Sequence, residues 1–227
     1  MSNELNDQVS LVTGAAGALG AAVVERFAGL GATIAQLDIV DIDNGHYSAS
    51  CNLMDKEATA AAIDDIVREL GRIDIVANIA GGFAMGEAVH ETSTETWEFL
   101  MGLNASSVLN VARAAVPHML AQGSGRIVNV GAGPGQKGVG LMGAYGASKS
   151  VVIRLTEAMA DELKEQGINV NCVIPSIIDT ERNRSDMPDA DFSRWVTPEA
   201  MARVISFLAS DDAAPIHGAA VPVSGLS

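Results

Sequence analysis

Six short runs in this chain are apolar almost throughout instead of alternating with polar residues: VSLVT (9–13), TIAQLD (33–38), IDIVAN (73–78), RIVNV (126–130), NVNCVI (169–174) and AVPV (220–223). A strand with one wet face alternates, whereas a strand covered on both faces does not, so these runs specify a parallel sheet sandwiched between helices. The segments between them repeat their apolar residues about every 3.6 positions. Ile63, Ile66, Val67 and Leu70 form one such set, Val152, Leu155, Met159 and Leu163 a second, and Met201, Val204, Ile205 and Leu208 a third. Strands alternating with helices over 227 residues predict one doubly wound, three-layer α/β/α domain spanning 1–227.

Charge and apolar patterning narrow what such a domain does. The net charge of −14 opposes binding to nucleic acid or to an anionic membrane, both of which call for a concentrated basic surface. Hydrophobic residues make up 48% of the chain, but in broken stretches that stay short of the roughly 18 residues a bilayer span needs. MSNELNDQVS, at the start, shows no basic patch followed by an apolar run, so the chain is read as cytoplasmic. Cys51 and Cys172 lack metal-ligand spacing and read as buried thiols, and no metal site is expected. The polar, weakly periodic stretch 180–195 reads as a mobile loop or short helices beside a site.

The first strand runs into TGAAGALG (13–20), with glycines at 14, 17 and 20. Small residues there let the backbone turn tightly and approach a pyrophosphate, while the following helix offers free N–H groups and a positive dipole end. Asp38 closes the second strand, 24 residues after Gly14, where a carboxylate can accept hydrogen bonds from ribose hydroxyls. It would repel a 2′-phosphate, and Ala15 and Ala16 supply no cation for one, so NAD is expected over NADP. In YGASK (145–149), Tyr145 and Lys149 are four positions apart on one helix face. An ammonium near a phenol favours the phenolate, so Lys149 together with the positive nicotinamide ring of bound NAD⁺ is expected to lower the Tyr145 pKa and let it act as an acid-base group.

With TGAAGALG, NIAG (78–81), Asn104, YGASK and PSIIDT (175–180) in this order, the chain resembles the single-domain short-chain dehydrogenase/reductase family over nearly its whole length. The resemblance implies a Rossmann-type fold and NAD(P)-dependent interconversion of a secondary alcohol and a ketone. By it, Gly14, Gly17, Leu19 and Gly20 line the pyrophosphate, Asp38 the ribose, and Asn52 with Leu53 the adenine. Asn78, Ala80 and Gly81 follow the fourth strand, the asparagine chiefly holding that strand to its neighbours. Pro175, Ile178 and Thr180 belong to the nicotinamide end. Tyr145 and Lys149 are the catalytic pair, Lys149 also binding ribose, and Asn104 positions a water in a proton relay. A homodimer or homotetramer is also implied, with Val151, Ala158 and Met159 serving an interface or the core.

One position departs from the family pattern. The family usually has a serine 13 residues before the tyrosine, and here that residue is Ala132, between Gly131 and Gly133. Losing one donor to a substrate oxygen typically costs on the order of 10²- to 10³-fold in rate. Gln136 and Lys137 are the nearest polar side chains that could replace it, and each is otherwise a solvated loop residue. PSII stands where PG is usual, so Ser176 reads as stiffening the turn or touching the cofactor. An alternative to an enzyme is a dinucleotide-binding sensor or partner protein with little turnover. Phe83, Met85, Met142, Met187 and Trp195 fall in loops at the carboxyl ends of the strands, where they line an apolar substrate pocket or pack beneath the loops.

Overall fold

A computed structural model describes residues 5–227. Seven parallel strands, β1 (Val9–Thr13), β2 (Thr33–Asp38), β3 (Tyr47–Ser50), β4 (Ile75–Asn78), β5 (Gly125–Val130), β6 (Ile168–Pro175) and β7 (Ala220–Val223), make one sheet in the order β3-β2-β1-β4-β5-β6-β7. The order reverses direction at β1, the switch point of a doubly wound sheet. Every residue of β1, β4 and β6 is buried, as their unbroken apolar character requires. The sequence reading found six of the seven strands. It missed β3, whose YSAS is a short, half-exposed edge strand with no apolar run, recognisable only through its register against Ala35–Asp38.

Helices α1 (Ala18–Gly29), α2 (Lys56–Leu70), α3 (Thr94–Leu100), α4 (Ser107–Gln122), α5 (Gly133–Gln136), α6 (Gly143–Leu163), α7 (Glu181–Asp186) and α8 (Pro198–Leu208) connect the strands. One face of the sheet packs Val23, Val24 and Phe27 of α1 against Met201, Ile205 and Leu208 of α8. The other packs Ile63 and Ile66 of α2, Val111, Ala115 and Met119 of α4, and Ala160 and Leu163 of α6. On α6 the buried face is Val152, Ile153, Thr156, Ala160 and Leu163, so the core stripe lies rotated from the expected one and leaves Leu155 and Met159 half-buried. The stretch 180–195 resolves into α7 and a 3-10 turn over Phe192–Arg194, the second of its two readings. Both cysteines are free and buried.

Between α3 and α4 the backbone winds as a π-helix, Met101–Ser106, making one continuous helix of 29 residues, Thr94–Gln122. By length and composition this helix could cross a membrane, but its apolar run is broken by Asn104, Asn110 and Arg113, and half of its most apolar window is buried inside the fold, as in a core helix. Asn104 lies in the π segment and is buried. Wider turns of this kind re-aim a residue out of the regular helix and recur at functional sites.

Candidate active site

The carboxyl edge of the sheet gathers most of the residues singled out above. Gly14 follows β1 at φ +65, where a Cβ would lie 2.7 Å from the Ala80 Cα, and a Cβ at Gly20 would overlap the Gly14 carbonyl. Glycine is thus required at both positions, by backbone hand at the first and by close approach at each. Gly17 caps α1 without a side-chain hydrogen bond, so the first amides of that helix face outward with the positive dipole end. Leu19 turns its side chain into the core beside Val23 and offers the turn only its backbone.

Asp38 reaches across the glycine turn. Its Oδ2 accepts from the Ala16 amide at 2.9 Å and its Oδ1 from the Ile39 amide at 2.7 Å, which orients the carboxylate at the end of β2. Asn52 uses its Oδ1 to accept from the Met54 amide at 3.1 Å, and Leu53 is buried beside it. Thr13 is a residue that sequence reasoning passed over: its Oγ1 accepts from the Ile79 and Ala80 amides at 3.1 and 3.2 Å, fastening the segment after β4 onto the glycine turn. Asn78 points into the fold and donates to Asn129 Oδ1 at 2.8 Å, and Asn129 in turn donates to Thr156 Oγ1 at 2.8 Å. That is the strand-holding role. A backbone cradle that a Cβ would fill, an open helix N-terminus and a facing carboxylate together fit a dinucleotide.

Next to this cradle stand Tyr145, Lys149 and Asn104. A Cβ on Gly81 would sit 2.9 Å from Asn104 Oδ1 and 3.3 Å from Lys149 Nζ, so the glycine after β4 is the common neighbour of both. Lys149 is buried and its Nζ donates to the Val130 carbonyl at 2.8 Å. Burial lowers its pKa to about 8 and raises that of the Tyr145 phenol to about 12. The expected lowering belongs to the site with a nicotinamide bound; in the chain by itself burial is what acts on the phenol, and it moves up. The shared helix face is present, but the ammonium is drawn toward the end of β5.

Asn104 is a clasp. Its Nδ2 donates to the Gly82 carbonyl at 3.0 Å and to Ser148 Oγ at 2.9 Å, while its Oδ1 accepts from the Gly82 amide at 2.8 Å. Both of its side-chain donors are spent on protein, so a water positioned by Asn104 would have to donate to one of its oxygens. Ser148 was also missed; its Oγ donates to the Tyr145 carbonyl at 2.8 Å, joining the π segment to the start of α6. The signal was its place inside YGASK, directly before the lysine.

Ala132 is buried and precedes α5 in extended conformation, with no hydroxyl to offer. Gln136 and Lys137 are exposed. Ser176 Oγ donates to the Ser224 carbonyl at 2.8 Å, so it ties the end of β6 to the C-terminal segment. Pro175 is buried at the end of β6, and Ile178 bridges to Val196 while its carbonyl accepts from Asn183 Nδ2. Thr180 caps α7 through Oγ1. Trp195 is 8% exposed and packs on Phe192 with ring centroids 4.8 Å apart, as the packing alternative expects. Met142 and Met85 do line a small cleft, together with Ala84, Glu87, Thr92, Thr96 and Leu141.

A switch-point glycine cradle beside a helix carrying half-buried Tyr145 and buried Lys149 is an arrangement that fits a dinucleotide-dependent oxidoreductase on a doubly wound sheet. The chain belongs to the short chain dehydrogenase family, whose model matches residues 8–191, and is accordingly an NAD(P)-dependent oxidoreductase. It is 33% identical over 242 residues to a D-threitol dehydrogenase of Mycolicibacterium smegmatis, covering 97% of this chain and 93% of that protein. To a meso-2,3-butanediol dehydrogenase of Serratia marcescens it is 32% identical, covering 97% and 94%. Among solved structures, carveol dehydrogenase from Mycobacterium avium in complex with NAD superimposes with a TM-score of 0.88 at 28% identity, covering 98% of each chain. An NAD⁺-bound xylitol dehydrogenase gives 0.89 at 27% identity, covering 98% and 99%.

Proposed function

We propose that this protein is an NAD-dependent dehydrogenase that interconverts a small secondary alcohol and its ketone, with Tyr145 moving the proton. The observation that carries the reading is the convergence of Lys149 and Asn104 on Gly81, one turn of helix from Tyr145 and beside the glycine cradle. The cofactor, when bound, supplies or accepts the hydride. Tyr145, kept protonated by burial, is the group that donates to a ketone oxygen in reduction. Lys149 remains mostly charged near neutral pH, so in this reading its ammonium favours negative charge developing at that oxygen and also binds ribose. Asn104 and Ser148 hold the helix start that presents Tyr145. NAD is favoured over NADP by the Asp38 carboxylate facing the turn and by alanines at 15 and 16. A cytoplasmic homodimer or homotetramer belongs to the same reading, and the exposed Trp97 and Phe99 on α3 with Leu120 on α4 support assembly.

Ala132 favours a second reading, a dinucleotide-binding protein without turnover. The test is a titration with NAD and with NADP beside a panel of secondary alcohols followed by NADH absorbance, in wild type and Tyr145→Phe. The dehydrogenase reading expects turnover that falls about 10²-fold or more in the variant, with NAD affinity kept. Tight NAD binding with no turnover on any alcohol selects the second reading, and tighter binding of NADP overturns the argument from Asp38.

A further inference from the structure

The cleft beside Tyr145 carries a carboxylate that the chemistry above does not use. Two loops form the walls: the one after β4, with Ala84, Met85 and Glu87, and the one before α6, with Leu141 and Met142. The Gly86 amide donates to the Leu141 carbonyl at 2.8 Å, and a Cβ on Gly143 would lie 2.6 Å from Val89 Cγ2, so the loops are pinned together. Leu141 adopts φ +61, a conformation that a bulky side chain takes only when its surroundings hold it there. The cleft is thus built before any ligand arrives. It adjoins the catalytic tyrosine, because Ala144 lines it and Ala84 follows Phe83, which packs on Tyr145.

Its polar groups are one-sided. Glu87 is half-buried, and its two partners are neutral: Oε2 accepts from the Ser93 amide and Oε1 from Thr96 Oγ1, each at 3.2 Å. Thr96 has therefore given its only proton to Glu87, and Thr92 has given its own to the Ala88 carbonyl at 3.2 Å. A carboxylate has about four acceptor positions, of which two are filled. The cleft can accept hydrogen bonds but has no side-chain proton to offer, and it is negatively charged between Met85, Leu141 and Met142.

Resting on the dehydrogenase reading, we propose that Glu87 determines specificity: it accepts a hydrogen bond from an O–H or N–H donor at the far end of a small, otherwise apolar secondary alcohol. The same carboxylate disfavours substrates whose far end is a carboxylate or phosphate. The cleft is small and partly open to solvent, which suits a compact ring or short chain.

Four probes of one shape test this: trans-4-aminocyclohexanol, trans-1,4-cyclohexanediol, trans-4-methylcyclohexanol and trans-4-hydroxycyclohexanecarboxylate. Each is measured for kcat/KM with NAD and, separately, for binding to the protein–NADH complex by calorimetry. The amino and hydroxy probes should exceed the methyl probe by about tenfold or more, as a hydrogen bond to a charged group gives, and the carboxylate probe should rank last. The amino arm separates a charged donor from a neutral one. Glu87→Gln keeps the acceptor toward Ser93 but removes the charge, so it should erase the amino advantage and relieve the penalty on the carboxylate probe. If the methyl or carboxylate probe ranks first, if none binds, or if Glu87→Gln lowers all four equally, Glu87 serves only the start of α3 and the proposal is overturned. Ranked binding without turnover would sink the dehydrogenase reading and leave the role of Glu87 standing.

Discussion

The ring of Phe83 stands edge-on to that of Tyr145, with centroids 4.9 Å apart and planes at 85°. Such a pair contributes about 0.5–1.5 kcal/mol beyond the area it covers, and it keeps water from the phenol whose pKa burial has raised to about 12. Phe83→Ala should therefore move the Tyr145 ionisation down toward its ordinary value near 10. The chain has two tyrosines, so tyrosinate absorbance in a Tyr47→Phe background reports Tyr145 alone. An ionisation that stays near 12 would show that Phe83 is not what shields it.

Lys149 makes stability depend on pH with a definite sign. Its folded pKa is about 8 against 10.5 for the free side chain, so between those values the unfolded chain binds more protons than the folded one. Stability should accordingly rise with pH across that window, by up to about 3 kcal/mol relative to Lys149→Met. Above pH 10 the raised phenol of Tyr145 acts the other way, because the folded state then holds a proton that the unfolded state loses. Denaturant titrations of both proteins at pH 7, 8, 9 and 10 measure the difference. Parallel curves would mean that Lys149 is not desolvated.

Gly81→Ala tests the packing around the catalytic group. The added methyl would press on Asn104 Oδ1 and Lys149 Nζ, and Asn104 cannot yield without breaking its bonds to Gly82. Turnover should fall by about 10²-fold, the scale of a misplaced proton-transfer group, while the fold is retained. Unchanged kcat would separate Asn104 and Lys149 from the chemistry.

The missing hydroxyl is open to direct repair. Ala132→Ser adds one oxygen at the N-terminal border of α5 and should fold normally. If the site is a ketone site lacking a donor, kcat/KM rises by up to about 10²-fold. A flat or lower rate, together with a loss in Gln136→Ala, would show that Gln136 already serves the oxygen. No change in either variant leaves Tyr145 as the only side chain acting there.

What could be read without coordinates was whatever local pattern encodes. Unbroken apolar runs marked six strands because burial on both faces leaves no reason to alternate, and glycines at 14 and 20 marked the cradle because only that residue survives a Cβ clash there. The order of motifs from Thr13 to Thr180 was enough to indicate a dinucleotide site of the short chain dehydrogenase kind. Edge strand β3 escaped because its pairing, not its composition, makes it a strand. Thr13, Ser148 and the clasp formed by Asn104 escaped because each joins segments 22 or more positions apart: Asn104 to Gly82 and Ser148, and Thr13 to Ile79 and Ala80. The desolvation of Tyr145 in the chain by itself escaped as well, since spacing tells which charges share a helix face and says nothing of how much water reaches them. Propensity and periodicity act along the chain and so are written in it. Desolvation, the turning of Lys149 toward Val130 and the pinning of Gly86 to Leu141 are products of surfaces meeting, and only the tertiary structure decides them.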